Sequence, residues 1–291
     1  MKIALFPCCS PPVLLVQYES SSRAVLGRVG VAFMDIREFN CCGYPLRNFN
    51  FRAFVLSSAR NLALAEKQKA NLMTVCNCCY GNLKYVDYLM KEDLSLANEV
   101  NTTLKKEGLI YEGRIRVMHL LDVLYNQVGI EHIKERIEKT FEGLKIATHY
   151  GCHILRPSKI VEFDNPLAPS IFDQLVEVTG AESVHWRSKL ECCGAPLFGI
   201  NDDLSMDLTE RKIKDGKESG ADYLCTACPF CHIQFDTVQK MIPWRRGANH
   251  YLPSILYPQL LGLSMGIDEK TLGLDMNELD ISGVKKFLSK P

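Results

Sequence analysis

A parallel α/β fold built twice is the class this sequence predicts, and three observations predict it. One cysteine layout occurs two times: Cys9, Cys41-Cys42 and Cys76-x-x-Cys79, then Cys152, Cys192-Cys193 and Cys228-x-x-Cys231. A short apolar run precedes each cysteine block, as a buried strand would. Helical patterns fill the intervals, and strand alternating with helix is the pattern of a parallel sheet. Two pseudo-repeated halves, each with one cysteine site, follow as the expected architecture.

Taken in order, the expected strands are Ile3 to Phe6, Gly30 to Ile36 and Leu72 to Val75, then Ile146 to Thr148, Val184 to Trp186 and Tyr223-Leu224. Between them lie helical patterns over Ala53 to Ala70, Pro169 to Thr179 and Leu204 to Ser219, the last two closed by Gly180 and Gly220. Setting Lys2-Ile3-Ala4 on Lys145-Ile146-Ala147 brings Cys9 onto Cys152. Cys41-Cys42-Gly43-Tyr44-Pro45 then matches Cys192-Cys193-Gly194-Ala195-Pro196, and Val75-Cys76-Asn77-Cys78-Cys79-Tyr80 matches Ala227-Cys228-Pro229-Phe230-Cys231-His232. The expected division is 1–143, including a helical, charged connector from about residue 92 that is read as packed on the first half, and 144–291. The connector contains helical patterns over 119–128 and 130–141. The tail after Pro243, with its apolar stretch 255–265, is expected to pack on the core or on a partner. Cysteines just past strand ends gather at the carboxyl edge of a sheet, where open α/β folds bind ligands.

Composition excludes several classes. Lys plus Arg is 34 and Asp plus Glu is 34, so no basic field is available to hold nucleic acid. The amino-terminal residues lack a basic and then a long apolar region, so no secretory leader is expected, and no apolar run is long enough to span a bilayer. The chain reads as soluble and cytoplasmic. In a reducing compartment, cysteines at motif spacing bind metal or perform redox chemistry more often than they form structural disulfides.

Thiolates favour zinc, copper(I) and iron-sulfur clusters. Structural zinc and regular cubanes each take four ligands, whereas each half offers five equivalent cysteines. A fifth thiolate could bridge two irons or cap an opened cluster. Gly43 and Gly194 permit a tight turn with positive φ after each cysteine pair, and Pro45 and Pro196 stiffen the exit. Cys8, Cys78 and Cys225 fall outside the repeat, opposite Gly151, Phe230 and Met73, and are read as non-obligatory.

On these blocks, together with Tyr150-Gly151-Cys152-His153, Phe163-Asp164-Asn165-Pro166 and Gln259-Leu260-Leu261-Gly262-Leu263, the chain resembles the tandem cysteine-rich CCG-domain family, in its heterodisulfide reductase B-component branch, over essentially its whole length. The resemblance implies two noncubane [4Fe-4S] clusters, one on Cys9, Cys41, Cys42, Cys76 and Cys79, the other on Cys152, Cys192, Cys193, Cys228 and Cys231. It implies reductive cleavage of the mixed disulfide of coenzyme M and coenzyme B to two thiols, a reaction of methanogenesis, between the clusters. It also implies electron supply by the ferredoxin-like C component and the flavin-containing A component of the same complex, and by a hydrogenase or formate dehydrogenase. Two one-electron clusters facing one disulfide suit a two-electron cleavage. The chain has no G-x-G-x-x-G of its own for a flavin or nicotinamide.

His153 and His232 each follow a cysteine of the repeat and are the candidate proton donors, while His149 reads as structural. Arg156 is a candidate contact for the anionic groups of such a substrate. Two rival functions are an electron-transfer subunit of a related succinate, lactate or sulfur oxidoreductase complex, and a zinc-binding scaffold.

Overall fold

The computed structural model describes residues 2–9, 11–247 and 250–289, with backbone alone at residues 11 and 12. It contains two four-stranded, wholly parallel sheets. The first comprises β1 (Ile3–Phe6), β2 (Phe33–Asp35), β3 (Asn71–Thr74) and β4 (Val117–His119) in the order β2-β1-β3-β4. The second comprises β5 (Lys145–His149), β6 (Glu182–Ser183), β7 (Tyr223–Thr226) and β8 (Ser254–Leu256) in the order β6-β5-β7-β8. Strand order therefore reverses between β1 and β3, and again between β5 and β7. Crevices at the carboxyl ends of such strand pairs are where this architecture receives ligands.

Register confirms the repeat. Phe6 stands opposite Thr74 as His149 stands opposite Thr226. The helices Phe51–Lys67 and Asp202–Glu218 have the same length and the same capping, Asn50 accepting from Ala53 N at 3.0 Å and Asn201 from Leu204 N at 3.1 Å. Each such cap contributes about 1 kcal/mol.

Several elements differ from the sequence expectation. The connector is not merely a helical linker: it supplies β4, the fourth strand of the first sheet. Of its expected helix over 130–141, only Ile130–Lys134 is α-helical. The expected strand Val184 to Trp186 pairs instead through Glu182–Ser183. Beyond it the chain turns off the sheet so that Trp186 can bury its ring and donate Nε1–H to the Thr148 carbonyl at 3.0 Å. The tail supplies β8 and then the buried helix Tyr257–Ser264.

That tail packs on the core by crossing to the other half. The Tyr257–Ser264 and Glu269–Leu272 helices lie against Val16–Arg28 of the first half, and Gln17 Nε2 donates to the Met276 carbonyl at 3.3 Å. In the reverse sense, Asn77–Glu92 of the first half packs on Ser158–Val161, with the Tyr80 hydroxyl donating to the Val161 carbonyl at 2.7 Å. One apolar core runs through both halves. Their cysteine-bearing edges are thereby held together.

Candidate metal centre

The first and third cysteine blocks of each half follow directly on strands, and the paired cysteines lie in the loops beyond β2 and β6. Cys8 and Cys9 follow β1, and Cys152 follows β5 after Gly151. Gly151 has φ of 75°, a left-handed conformation natural to glycine, and Cys8 holds φ of 64° at the equivalent position. A cysteine thus accepts mild backbone strain where the second half avoids it.

The cysteine pairs lead into matched turns. Gly43 has φ of 83° and Gly194 of 94°. A Cβ on Gly43 would come to 2.9 Å from the Phe54 carbonyl oxygen, and one on Gly194 to 2.5 Å from that of Ser205. Only glycine fits either place. Gly43 N donates to Cys41 Sγ and Gly194 N to Cys192 Sγ, both at 3.4 Å. Ser58 and Thr209, equivalent positions on the paired helices, donate to the Cys42 and Cys193 carbonyls. The third blocks open helices: Cys76 caps Asn77–Glu92 and Cys228 caps Pro229–Ile233, with Cys79 and Cys231 in their first turns. The positive end of a helix favours thiolate there.

Within each half the thiols form one chain of contacts in one order. In the first, Cys9 touches Cys41, Cys41 touches Cys42, Cys42 touches Cys79 and Cys79 touches Cys76. In the second, Cys152 touches Cys192, Cys192 touches Cys193, Cys193 touches Cys231 and Cys231 touches Cys228. Crowding splits their acidities. The Cys41 and Cys79 thiols hold Cys42 well below the ordinary thiol value, while Cys41 is pushed up. Cys192, served by Cys152 and Cys193, is drawn down to about 2, and Cys193 is pushed up to about 12. Buried thiols this close cannot all ionise unless a cation joins them, and a metal centre is such a cation. The donor set therefore fits a thiolate-ligated metal group in each half.

Two tighter groups stand out among the described residues: Cys8, Cys76 and Cys79, and His149, Cys193 and Cys231, each with donor atoms within 4.8 Å of one another. Both include a residue that the repeat left aside. No sequence signal marks Cys8 beyond its position next to Cys9. His149 carries a clearer one in hindsight, a histidine where the equivalent strand has Phe6.

The two thiol chains meet. Cys228 is in contact with Cys76 and Cys78 across the boundary between the halves. Asn77 Nδ2 donates to the Tyr150 carbonyl at 2.7 Å, and the Gly81 Cα lies so close to His153 that a Cβ would reach 2.8 Å from its carbonyl oxygen. Beside the second set lies a cavity of about 50 Å³, lined by Cys152, Cys193, Cys228 and Cys231 together with Tyr44, Asn77, His153 and Phe230, and reached from the first half by Cys78. A larger open hollow of about 600 Å³, lined by Lys2, Asn71 and Glu112, is at the amino edge of the first sheet and contains no cysteine.

Of the two candidate histidines, His153 lines the cavity and His232 does not. His153 Nδ1 is 3.2 Å from Cys152 Sγ and 3.7 Å from Cys78 Sγ, its ring edge-on to Tyr44. Burial lowers its pKa. His232 faces the fully buried Ser254 at 3.1 Å, and burial pushes it down to about 3. It is a core histidine in this packing, 3.5 Å from the buried Asp236 carboxylate and away from the cavity. Arg156 is exposed and outside the cavity wall. The cation beside the cavity is Arg47, stacked at 4.8 Å on Tyr85 and acting electrostatically on both Tyr44 and His153. Its place in the turn after Gly43 gave no sequence cue. Cys225 is fully buried in β7, as a small core residue would be.

Comparison with known proteins accords with this geometry. The CCG cysteine-rich domain model matches residues 3–84 and again 146–236. The chain is 34% identical to the B component of the ferredoxin/F420H2-dependent CoB-CoM heterodisulfide reductase of Methanosarcina acetivorans, over 96% of this chain and 94% of that protein. It is 31% identical to the 8-methylmenaquinol:fumarate reductase membrane anchor subunit of Wolinella succinogenes, over 96% and 97%. A crystal structure of a hypothetical protein from Helicobacter pylori shares the fold with a TM-score of 0.77 at 20% identity, over 97% of this chain and 52% of that one. Among the described residues no helix is long and apolar enough to cross a membrane. With two CCG domains, two matched thiol chains and this identity across nearly its full length, the chain belongs to the family of heterodisulfide reductase B components.

Proposed function

We propose that this protein is the disulfide-cleaving subunit of a heterodisulfide reductase, acting on the mixed disulfide of coenzyme M and coenzyme B. The observation that carries the reading is the meeting of the two thiol sets, through the contact of Cys228 with Cys76 and Cys78, beside a cavity lined by Cys78, Cys152, Cys193, Cys228 and Cys231. Cys9, Cys41, Cys42, Cys76 and Cys79 would hold one noncubane [4Fe-4S] cluster, and Cys152, Cys192, Cys193, Cys228 and Cys231 the other. Such clusters, when bound, supply one electron each to the substrate's two sulfurs. The chain's own residues do the rest. The enclosed space admits little more than the disulfide, so the sulfonate, carboxylate and phosphate arms extend outward past Tyr44, where Arg47 offers a guanidinium. His153 Nδ1, held between Cys152 and Cys78, delivers the proton that turns a departing thiolate into a thiol. Electrons arrive from a ferredoxin-like C component, a flavin-containing A component and a hydrogenase or formate dehydrogenase in the cytoplasm. The division at residues 143 and 144 belongs to the same reading.

The likeness to the fumarate reductase anchor protein favours a second reading, an electron-transfer subunit of another complex. Anaerobic reconstitution followed by iron and sulfide analysis and by disulfide reduction with an artificial donor separates the two. About eight irons per chain and turnover are expected. Full iron without turnover would favour the second reading, and zinc in place of iron and sulfide would leave a scaffold.

A further inference from the structure

The two sites share their thiols but not their surroundings. The Phe51–Lys67 and Asp202–Glu218 helices superimpose in sequence so that Asn61 corresponds to Lys212, one turn beyond the matched Ser58 and Thr209. Asn61 is neutral and spends its amide on the Asn40, Cys41 and Ser57 carbonyls. Lys212 is 0% exposed, donates to the Ser188 carbonyl and lies over the Trp186 ring at 4.5 Å. Among the described residues it pairs with no carboxylate. Glu191 attracts it without forming an ion pair and is itself bonded to Arg211. Burial draws its pKa down to about 8, against the attraction of Cys193, Cys231 and Cys192, thiols of the second site. A buried ammonium without a counter-charge is costly, and negative charge at that site is what would balance it.

The same site holds a second orphan. His149 is 1% exposed, and among the described residues neither ring nitrogen has a well-formed hydrogen bond, the Lys189 backbone being its nearest polar neighbour there, while one nitrogen lies within 4.8 Å of both the Cys193 and Cys231 sulfurs. Its only described ring contact is the edge of Phe235. In the first half Phe6 takes its place, and the extra group near Cys76 and Cys79 is another thiol, Cys8.

We infer that the two sites are tuned apart, the second being the more readily reduced, through the buried cation of Lys212 and the imidazole of His149 beside it. This rests on the two-cluster reading above. Each site takes up one electron from an external one-electron donor, and the added negative charge is stabilised where a cation and a neutral polar ring already stand. At the first site the corresponding residues are an amide committed elsewhere and a benzyl group, with a further thiol in reach. An imidazole N–H that can point at the ligand sulfurs, and a cation near them, both raise the potential of an iron-sulfur centre, whereas a benzyl group offers neither.

The test is a mediated reductive titration of the anaerobically reconstituted full chain, followed by electron paramagnetic resonance and Mössbauer spectroscopy. Cys42→Ala and Cys193→Ala variants, each keeping one site, assign the signals. Two reduction waves are expected, with the site kept in Cys42→Ala filling first. In Lys212→Asn, the first half's residue, the ratio of second-site to first-site reduction at one electron per chain should fall on the order of ten-fold, the effect of one charge lost across several ångströms of effective dielectric about 20. His149→Phe should move the ratio the same way. Should either variant fail to fold, the unaltered protein still decides: a single wave, or earlier reduction of the site kept in Cys193→Ala, overturns the inference. So would full clusters whose waves ignore both substitutions. Absence of iron and sulfide overturns the cluster reading and this inference with it.

Discussion

The first half and the second half of this chain agree wherever the backbone must aim a thiol and disagree wherever something must stand beside one. Asn50 and Asn201, Gly43 and Gly194, Ser58 and Thr209 repeat their bonds pair by pair. Around them Phe6 is replaced by His149, Cys8 by Gly151, Asn61 by Lys212 and Cys78 by Phe230. Repetition therefore conserves geometry, and divergence adjusts electrostatics. A site made of identical thiols can be given two characters only through neighbours, because the thiols themselves are already committed.

The largest effect expected from breaking this equivalence is at the paired cysteines. Cys42→Ala and Cys193→Ala should each abolish one site and leave the other, so iron should fall from about eight to about four per chain in either variant. Retention of full iron in both would show that the fifth thiol is dispensable. Next come the turns. Gly194→Ala puts a Cβ against the Ser205 carbonyl in a left-handed conformation and should cost on the order of 3 kcal/mol in denaturant unfolding. Gly43→Ala, with the looser 2.9 Å approach, should cost less. Equal losses would mean that the closer packing under the second turn has no energetic weight.

A smaller difference is readable through pH. Asp236 in the second half, where the first half has Lys84, is buried and accepts from the backbone N–H groups of Glu278 and Leu279 at 2.8 and 2.9 Å. Burial raises its carboxyl from 3.8 to about 6. A folded pKa above the unfolded one means that the folded state binds the extra proton. Its stabilising share is thus complete below about pH 4 and is lost as pH rises through about 6. The stability difference between the protein and Asp236→Asn should shift by at most about 3 kcal/mol across that window and stay flat above it. A flat difference throughout would place the charge in water.

The smallest effect is expected at Cys8→Gly, which copies the second half. Exchange of a strained residue for a flexible one should leave stability within about 1 kcal/mol. In a Cys193→Ala background the four irons of the first site should remain. Their loss would make Cys8, rather than the exposed Cys9, the fifth ligand of that site.

Much of the molecule was legible in the residues because its governing interactions are local. The Leu204 to Ser219 pattern marked its helix within two residues at the start and one at the end, since apolar period and Gly220 act over neighbouring turns. The strands β4 and β8 escaped notice because three residues each carry no period, and they are strands only by virtue of lying beside β3 and β7. The helix Val16–Arg28 was equally hidden. Its run Ser20-Ser21-Ser22 has weak helix propensity, and its stability comes from the tail helix laid across it.

The doubled five-cysteine layout and the turns that orient it are readable from the residues alone, because spacing, glycine conformation and helix caps operate over a few residues. Tertiary packing is what brings Cys228 against Cys76 and Cys78, puts His153 within reach of Cys78 while His232 turns inward, and sets Lys212 and His149 beside the second site. Those relations join residues far apart in the chain, and they exist because each half buries an apolar helix of the other, a packing outcome that no local pattern encodes.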